Sequence, residues 1–284
     1  MSKPRAPTNA ATSSPLTESS LGRDTEYSQT YAPEVLFPVA RAYNRATLGL
    51  TDWPWFGFDL WYAYEVSWLN SRGLPQVALA AIEVPVHSPF LIESKSLKLY
   101  LNSINMTRFG HANDVMAVLE RDLSQVAGAA VKVKFYTPDD AQMASGLSSV
   151  ATLLDTQDIA IEHYEVTPEL LRLRSDEVVT ETLYSHLLRS NCPVTGQPDW
   201  GSVVVDYTGP ALDQAALLRY LVSYRNHTGF HEHCVEQVFT DVLAQGDFSQ
   251  LSVRAHYLRR GGLDINPCRS LNKARPDMRR LARQ

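Results

Sequence analysis

IESKSLKLYLNSI, residues 92–104, and AALLRYLVSYR, residues 215–225, decide the fold of this chain. In the first, Leu97, Tyr100, Leu101 and Ile104 recur at the spacing of one helix face. The second carries an apolar stripe of the same kind. Each is followed by another amphipathic segment: Val115, Val118, Leu119 and Leu123 in one half, Val235, Val238, Phe239, Val242 and Leu243 in the other. Before each helix pair stand two β-rich runs joined by a turn. In the first half these are FDLWYAYEVSWL (58–69) and QVALAAIEVPV (76–86), joined through Asn70, Ser71, Arg72 and Gly73. In the second, ETLYSHLLRS (181–190) leads through Asn191, Cys192 and Pro193 to SVVVDY (202–207). An alternating strand pattern follows each helix pair, VKVKFY at 131–136 and SVRAHYL at 252–258.

The register between the halves is nearly constant. Leu101 maps to Leu221, Val115 to Val235, Val118 to Val238 and Leu123 to Leu243, each at an offset of 120; Leu69 and Ser71 map to Leu188 and Ser190 at 119. A duplicated α+β module is the expectation. It divides the chain into a first module over 21–145 and a second over 146–284. The first twenty residues, rich in Ser, Thr, Pro and Ala, read as a mobile tail. The following stretch to Leu50 has anchors (Tyr27, Tyr31, Leu36, Phe37, Tyr43) that should pack across the body.

Bulk properties narrow the function. The chain has 284 residues, 44% apolar and 20% charged, which excludes collagen-like, wholly disordered and disulfide-scaffold classes. No apolar run approaches the roughly 18 residues of a membrane span, and residues 1–20 lack a signal peptide's apolar core. Three cysteines without CxxC or an export signal point to the cytoplasm. The net charge of −5 argues against general nucleic-acid binding. From Arg254 onward, however, nine basic residues face two acids, so an acidic body carries one basic end. That suggests a localised anion site.

The repeat breaks where chemistry could sit. The first half opens its helix with Glu93, Ser94, Lys95 and Ser96, where the second has Asp213, Gln214, Ala215 and Ala216. Ser94 can cap the helix, and its amides with Lys95 would make an anion-binding end. Cys192 lies in a turn dense in Asn, Pro and Gly, with Asp199 seven residues on. A thiol with a lowered pKa or a nearby base can attack an electrophile, and Asp199 held against Trp200 would keep its proton and act as general acid. The alternative for Cys192 is a small buried hydrophobe. GFHEHCVEQVF (229–239) places His231 and Glu232 at a helix start, where the pair can hydrogen-bond a polar heterocycle. A metal site from His231, His233 and Cys234 is the rival, though the spacing is no zinc pattern. Arg259, Arg260, Gly261 and Gly262 end a strand and suit a phosphate, without a GxGxxG fingerprint.

Taken together, LIESKSLKLYLNS (91–103), SNCPVTGQPDWGS (190–202), FHEHCVEQVF (230–239) and RRGGLDINPCRS (259–270) resemble the NADPH-dependent 7-cyano-7-deazaguanine reductases, the nitrile reductases of queuosine biosynthesis. The resemblance runs from about Leu21 to the C-terminus, in the long two-module form. It implies two tandem tunnelling-fold modules related to GTP cyclohydrolase I, each an antiparallel sheet with helices on one face, in a homodimer. It implies Cys192 as the nucleophile that forms a thioimide with the nitrile and Asp199 as proton donor. It implies Ile92, Glu93, Ser94, His231 and Glu232 around the substrate, and Ser94, Lys95, Arg260 and Gly261 around NADPH, with no metal. Two other readings stay open at this point: a metal-dependent cyclohydrolase-like enzyme on a purine or pterin, and a non-catalytic heterocycle-binding module.

Overall fold

The structure is a computed structural model that describes residues 30–50, 52–137, 151–281 and 284. The expected tail 1–20, the anchor Tyr27 and the boundary between 145 and 146 lie outside the described residues. The elements in chain order are β1 (Pro38–Ala40), α1 (Arg41–Arg45), β2 (Phe56–Leu69), β3 (Pro75–Pro85), β4 (Phe90–Ile92), α2 (Ser94–Ile104), α3 (Ala112–Ala127), β5 (Lys132–Tyr136), β6 (Thr152–Leu153), β7 (Leu173–Asn191), β8 (Pro198–Leu212), α4 (Gln214–Ser223), α5 (His231–Leu243), β9 (Gln250–Tyr257) and β10 (Leu263–Ser270). No helix among the described residues is long and apolar enough to cross a membrane.

Eight strands form one sheet in the order β5-β3-β2-β10-β9-β8-β7-β6, antiparallel except where β6 meets β7. The two halves therefore share a single sheet, and β10 joins them by pairing with β2 along its whole length. Sequence reading missed β10. Its Pro267 argues against a central strand because it offers no N–H to the ladder. The strand tolerates it because pairing with β9 starts only at Cys268.

Each half repeats the order hairpin, two helices, strand. The hairpins even share a bulge. Ala63 pairs with Ala80 and Val66 with Ala78, while Ser185 pairs with Val203 and Leu188 with Gly201. Aligned on these bulges, Val66 matches Leu188, an offset of 122 rather than the 119 expected from Leu69 and Ser71. The reason is local: Ser71 lies in the β2–β3 turn, whereas Ser190 is a fully buried strand residue. Phe135 of β5 and Ala255 of β9 stand opposite the matched pair Ala80 and Val203, which restores the offset of 120.

The apolar stripes of α2 and α3 cover Trp61, Ala63, Ile82 and Val84 of the sheet, and those of α4 and α5 cover Val203, Val205 and Val253. Leu263 and Ile265 of β10 face the same way, so all four long helices sit on one face. On the other face Phe58, Leu60 and Cys268 are covered by Met278 of the C-terminal segment.

Beneath the joint lies a buried charge network. Arg269 on β10 donates to Asp59 of β2 at 2.8 Å and to Glu236 of α5 at 2.9 Å. Arg41 and Arg45 of α1 complete it, on Asp59 at 2.5 Å and on Glu236 at 2.6 Å. Much of the basic end is thus structural rather than an anion site. Arg254 pairs with Asp206, Arg275 with Glu83 and Arg279 with Asp277, while Arg259 and Arg280 lie over the Tyr64 ring at 4.6 and 4.9 Å. Arg260 alone of these arginines lines the cleft described next.

Candidate active site

One cleft opens where the two halves meet. The first half lends Trp61, Ile92, Glu93 and Ser94; the second lends Cys192, Asp199, His231, Glu232 and Arg260. Their convergence follows from the topology, since β10 seats the start of α2 beside the β7–β8 turn and the start of α5.

Cys192 is the first residue of that turn. Its N–H donates to the Gln197 carbonyl at 2.9 Å, and its own carbonyl accepts from Gly196 at 3.1 Å, so the sulfur is held in place. Burial pushes the thiol up. Hydrogen bonds from the Thr195 hydroxyl, the Thr195 and Val194 backbone and the Arg260 guanidinium outweigh it and hold the thiol below its ordinary 9.0. The other two cysteines are fully buried, and burial pushes Cys234 up to about 12 and Cys268 to about 11. Only Cys192 has the electrostatics of a nucleophile.

Asp199 is buried next to charge, not next to Trp200. Its carboxylate lies 3.4 Å from His231 Nε2 and 3.2 Å from Arg260 Nη1. Trp200 is taken by the Arg189 and Arg225 guanidiniums, 5.3 and 5.5 Å from its ring. The expectation that Trp200 shields Asp199 is corrected by strand alternation, which turns successive side chains to opposite faces.

The four residues His231 to Cys234 diverge. His231 turns to Asp199. Glu232 is buried in the cleft, where burial and the charge of Asp59 push its carboxyl to about 7 against the pull of His231 and Arg41. His233 instead meets Thr47 at 3.2 Å, and burial lowers it to about 4. Cys234 lies against Tyr257 and Ser190. Side chains that part in this way do not converge on one ion, and no group of three potential ligands is found among the described residues.

The start of α2 also differs from expectation. Glu93, not Ser94, is the N-cap: its carboxylate accepts from the Lys95 amide at 2.7 Å and the Ser96 amide at 2.8 Å. Those amides are therefore not available to an outside anion. Lys95 does not line the cleft. Lys98 does so at the cleft mouth, with Ser94, His231 and Arg260. Burial and Arg260 lower its ammonium, while Glu93, Cys192 and Asp199 hold it up. Sequence reading missed Lys98, yet it sits four residues after Ser94, on the same helix face.

Arg260 to Leu263 form a tight turn closed by reciprocal backbone hydrogen bonds of 2.8 and 3.3 Å. Gly261 has φ +58, and a Cβ there would stand 3.2 Å from Lys98 Cδ. Gly261→Ala is expected to cost about 1–2 kcal/mol for the left-handed backbone and to displace Lys98. Denaturant unfolding of the variant beside the parent measures it.

A family model described as nitrile reductase, 7-cyano-7-deazaguanine-reductase N-term, matches residues 27–135, and one described as QueF-like protein matches 198–276. The chain is 52% identical over 273 residues to the NADPH-dependent 7-cyano-7-deazaguanine reductase of Chromohalobacter salexigens, covering 95% of this chain and 98% of that one. It is 51% identical over 277 residues to the enzyme of the same name from Dechloromonas aromatica, covering 95% and 96%. The chain belongs to the 7-cyano-7-deazaguanine reductase family. A solved structure, an archaeosine synthase QueF-Like in the apo form, aligns at a TM-score of 0.30 and 20% identity, covering 36% of this chain and all of that one. The two family-model matches of this reductase chain bracket the cleft: Glu93 and Ser94 fall in the first, Asp199, His231, Glu232 and Arg260 in the second. Cys192 falls between them.

Proposed function

We propose that this chain reduces the nitrile of 7-cyano-7-deazaguanine to the aminomethyl group with NADPH, as a cytoplasmic enzyme of queuosine biosynthesis. The observation that carries this reading is the lowered thiol of Cys192, in one cleft with buried Asp199 and the His231–Glu232 pair. The reading includes two tunnelling-fold modules, 21–145 and 146–284, in a homodimer.

A nitrile is a weak electrophile, and capture by a thiolate divides a hard reduction into easier steps. Cys192 Sγ gives up its proton to Asp199 and adds to the nitrile carbon as the thiolate. The displaced π electrons settle on nitrogen, which takes a proton from Asp199, giving a thioimide. Asp199 must then be reprotonated, and His231 at 3.4 Å is placed to relay that proton. Glu232 accepts from the N1–H and 2-amino edge of the heterocycle, and Ile92, Glu93 and Ser94 wall the opposite side. Thr195 and Arg260 stabilise the sulfur again when it leaves as thiolate.

The cofactor reading is tested by the cleft mouth. Lys98 and Arg260 put two cations there, and a Cβ on Gly262 would meet nothing within 4 Å, so the turn is open. That donor set fits a phosphate-bearing cofactor. Ser94, Lys95, Arg260 and Gly261 would hold NADPH, with Lys98 added to that set. When bound, NADPH supplies hydride to the substrate carbon.

The direct test is purified protein with 7-cyano-7-deazaguanine and NADPH, following nicotinamide absorbance; no substrate-dependent oxidation refutes the proposal. Asp199→Asn keeps shape and loses the proton, and kcat should fall about 10²–10⁴-fold. The state of Glu232 sets a pH dependence. Its carboxyl accepts fully only when ionised, above about 7. Substrate KM should rise about tenfold per pH unit below that value. Glu232→Gln should bind weakly and remove this slope; steady-state titrations between pH 5.5 and 8.5 read both.

A further inference from the structure

His231 is held from two sides. Its Nε2 lies 3.4 Å from Asp199, and its ring rests on that of Tyr257, with centroids 4.0 Å apart and planes at 53°. One long contact to a carboxylate does not fix an imidazole, whose χ2 is broad. The Tyr257 ring supplies the second constraint.

Tyr257 ends β9 and is buried opposite Gly201 of β8, two residues beyond Asp199. A Cβ at Gly201 would stand 3.1 Å from Tyr257 Cδ1 and 3.3 Å from Cε1. The backbone of Gly201 is not in the left-handed region, so its conformation does not demand glycine there. The ring does. The phenol end lies among Ser190 and Cys234, and the contact with His231 is made by the ring.

We propose that Tyr257, seated on Gly201, is a positioning residue that holds the His231 imidazole against Asp199 for proton transfer. The kinetic part rests on the nitrile-reductase reading above. The placement of His231 does not.

The experiment compares Tyr257→Phe, Tyr257→Leu, Gly201→Ala, His231→Ala and the Tyr257→Leu/His231→Ala double variant with the parent protein. It reads kcat and KM separately, the mass of the Cys192 adduct with the nitrile, and the NMR resonance of the His231 ring C–H. Loss of the ring in Tyr257→Leu should lower kcat about 10–100-fold with KM and adduct formation retained. Tyr257→Phe should restore kcat. The double variant should fall no further than His231→Ala, because both act through one imidazole. The His231 resonance should keep its position in Tyr257→Phe and move in Tyr257→Leu and Gly201→Ala. Gly201→Ala shifts the ring by a few tenths of an ångström in an otherwise intact core, and it decides the question if Tyr257→Leu does not fold. Additive losses in the double variant, a kcat as low in Tyr257→Phe as in Tyr257→Leu, or an unmoved His231 resonance overturns the proposal. If the parent protein does not oxidise NADPH with the nitrile, the functional reading fails instead, and the resonance alone decides the placement of His231.

Discussion

Cys192→Ala is expected to abolish turnover, by at least about 10⁴-fold, since loss of a nucleophile removes the covalent route entirely. The variant should still bind the heterocycle, because Glu232 and Glu93 are untouched. Intact-mass spectra should show a substrate adduct on the parent protein and none on the variant. The thiol's environment makes a second, graded form of the same prediction. Thr195 and Arg260 hold the Cys192 thiol below 9.0 against burial. Alkylation by iodoacetamide should therefore titrate below that of an ordinary cysteine and be confined to Cys192, with Cys234 and Cys268 buried and pushed up. Arg260→Ala removes one of the groups that favour the thiolate, and its alkylation midpoint should rise. Full turnover by Cys192→Ala, or alkylation spread over the three cysteines, contradicts the assignment.

Arg269→Met should be strongly destabilising. Arg269 is fully buried and bridges Asp59 and Glu236. Methionine fills much of its volume but leaves two buried carboxylates short of a partner, which costs about 3–5 kcal/mol. That is a large fraction of a typical domain stability of about 5–15 kcal/mol. The melting temperature should drop by roughly 10 °C. The pH dependence gives the sign. In the parent, burial raises both carboxyls, but Arg269 with Arg41 at Asp59, and Arg269 with Arg45 at Glu236, lower them overall. Groups depressed in the folded state stabilise it above the ordinary carboxylate range, and that contribution is lost as pH falls through their folded values. Without Arg269, only Arg41 at Asp59 and Arg45 at Glu236 oppose burial, so both carboxyls rise relative to the parent and less stabilisation remains at high pH. The deficit of the variant should be largest near pH 8 and shrink toward pH 5. Thermal melts at the two pH values measure this directly. An equal deficit at both would mean that packing, not charge, is what Arg269 supplies.

The repeat was legible because it is written in local periods. Leu97, Tyr100, Leu101 and Ile104 fall on one face of any helix they form, whatever lies beside it. The same holds for the alternation in β5 and β9, and for the Asn–Pro–Gly turn that carries Cys192. Hydrophobic burial converts such periods into elements with little help from the rest of the chain. The offset error at the hairpin shows the limit of that argument. A β-bulge adds a residue to one strand without changing its composition, so only strand pairing reveals it.

The charges were the part that local pattern could not place. Nine basic residues near the C-terminus read as one anion site, yet Arg269 is locked between Asp59 and Glu236, Arg259 and Arg280 lie over Tyr64, and among the described arginines only Arg260 lines the cleft. Lys98, which no local pattern singles out, stands at the cleft mouth. Asp199 was assigned the wrong neighbour, Trp200 in place of His231 and Arg260. In each case the deciding distance runs between residues remote in sequence, brought together when β10 enters beside β2. Element type follows from the side chains within one turn or pleat. The ionisation and hydrogen bonding of a site follow from desolvation and charge within a few ångströms, and those are set only when the two halves close into one sheet.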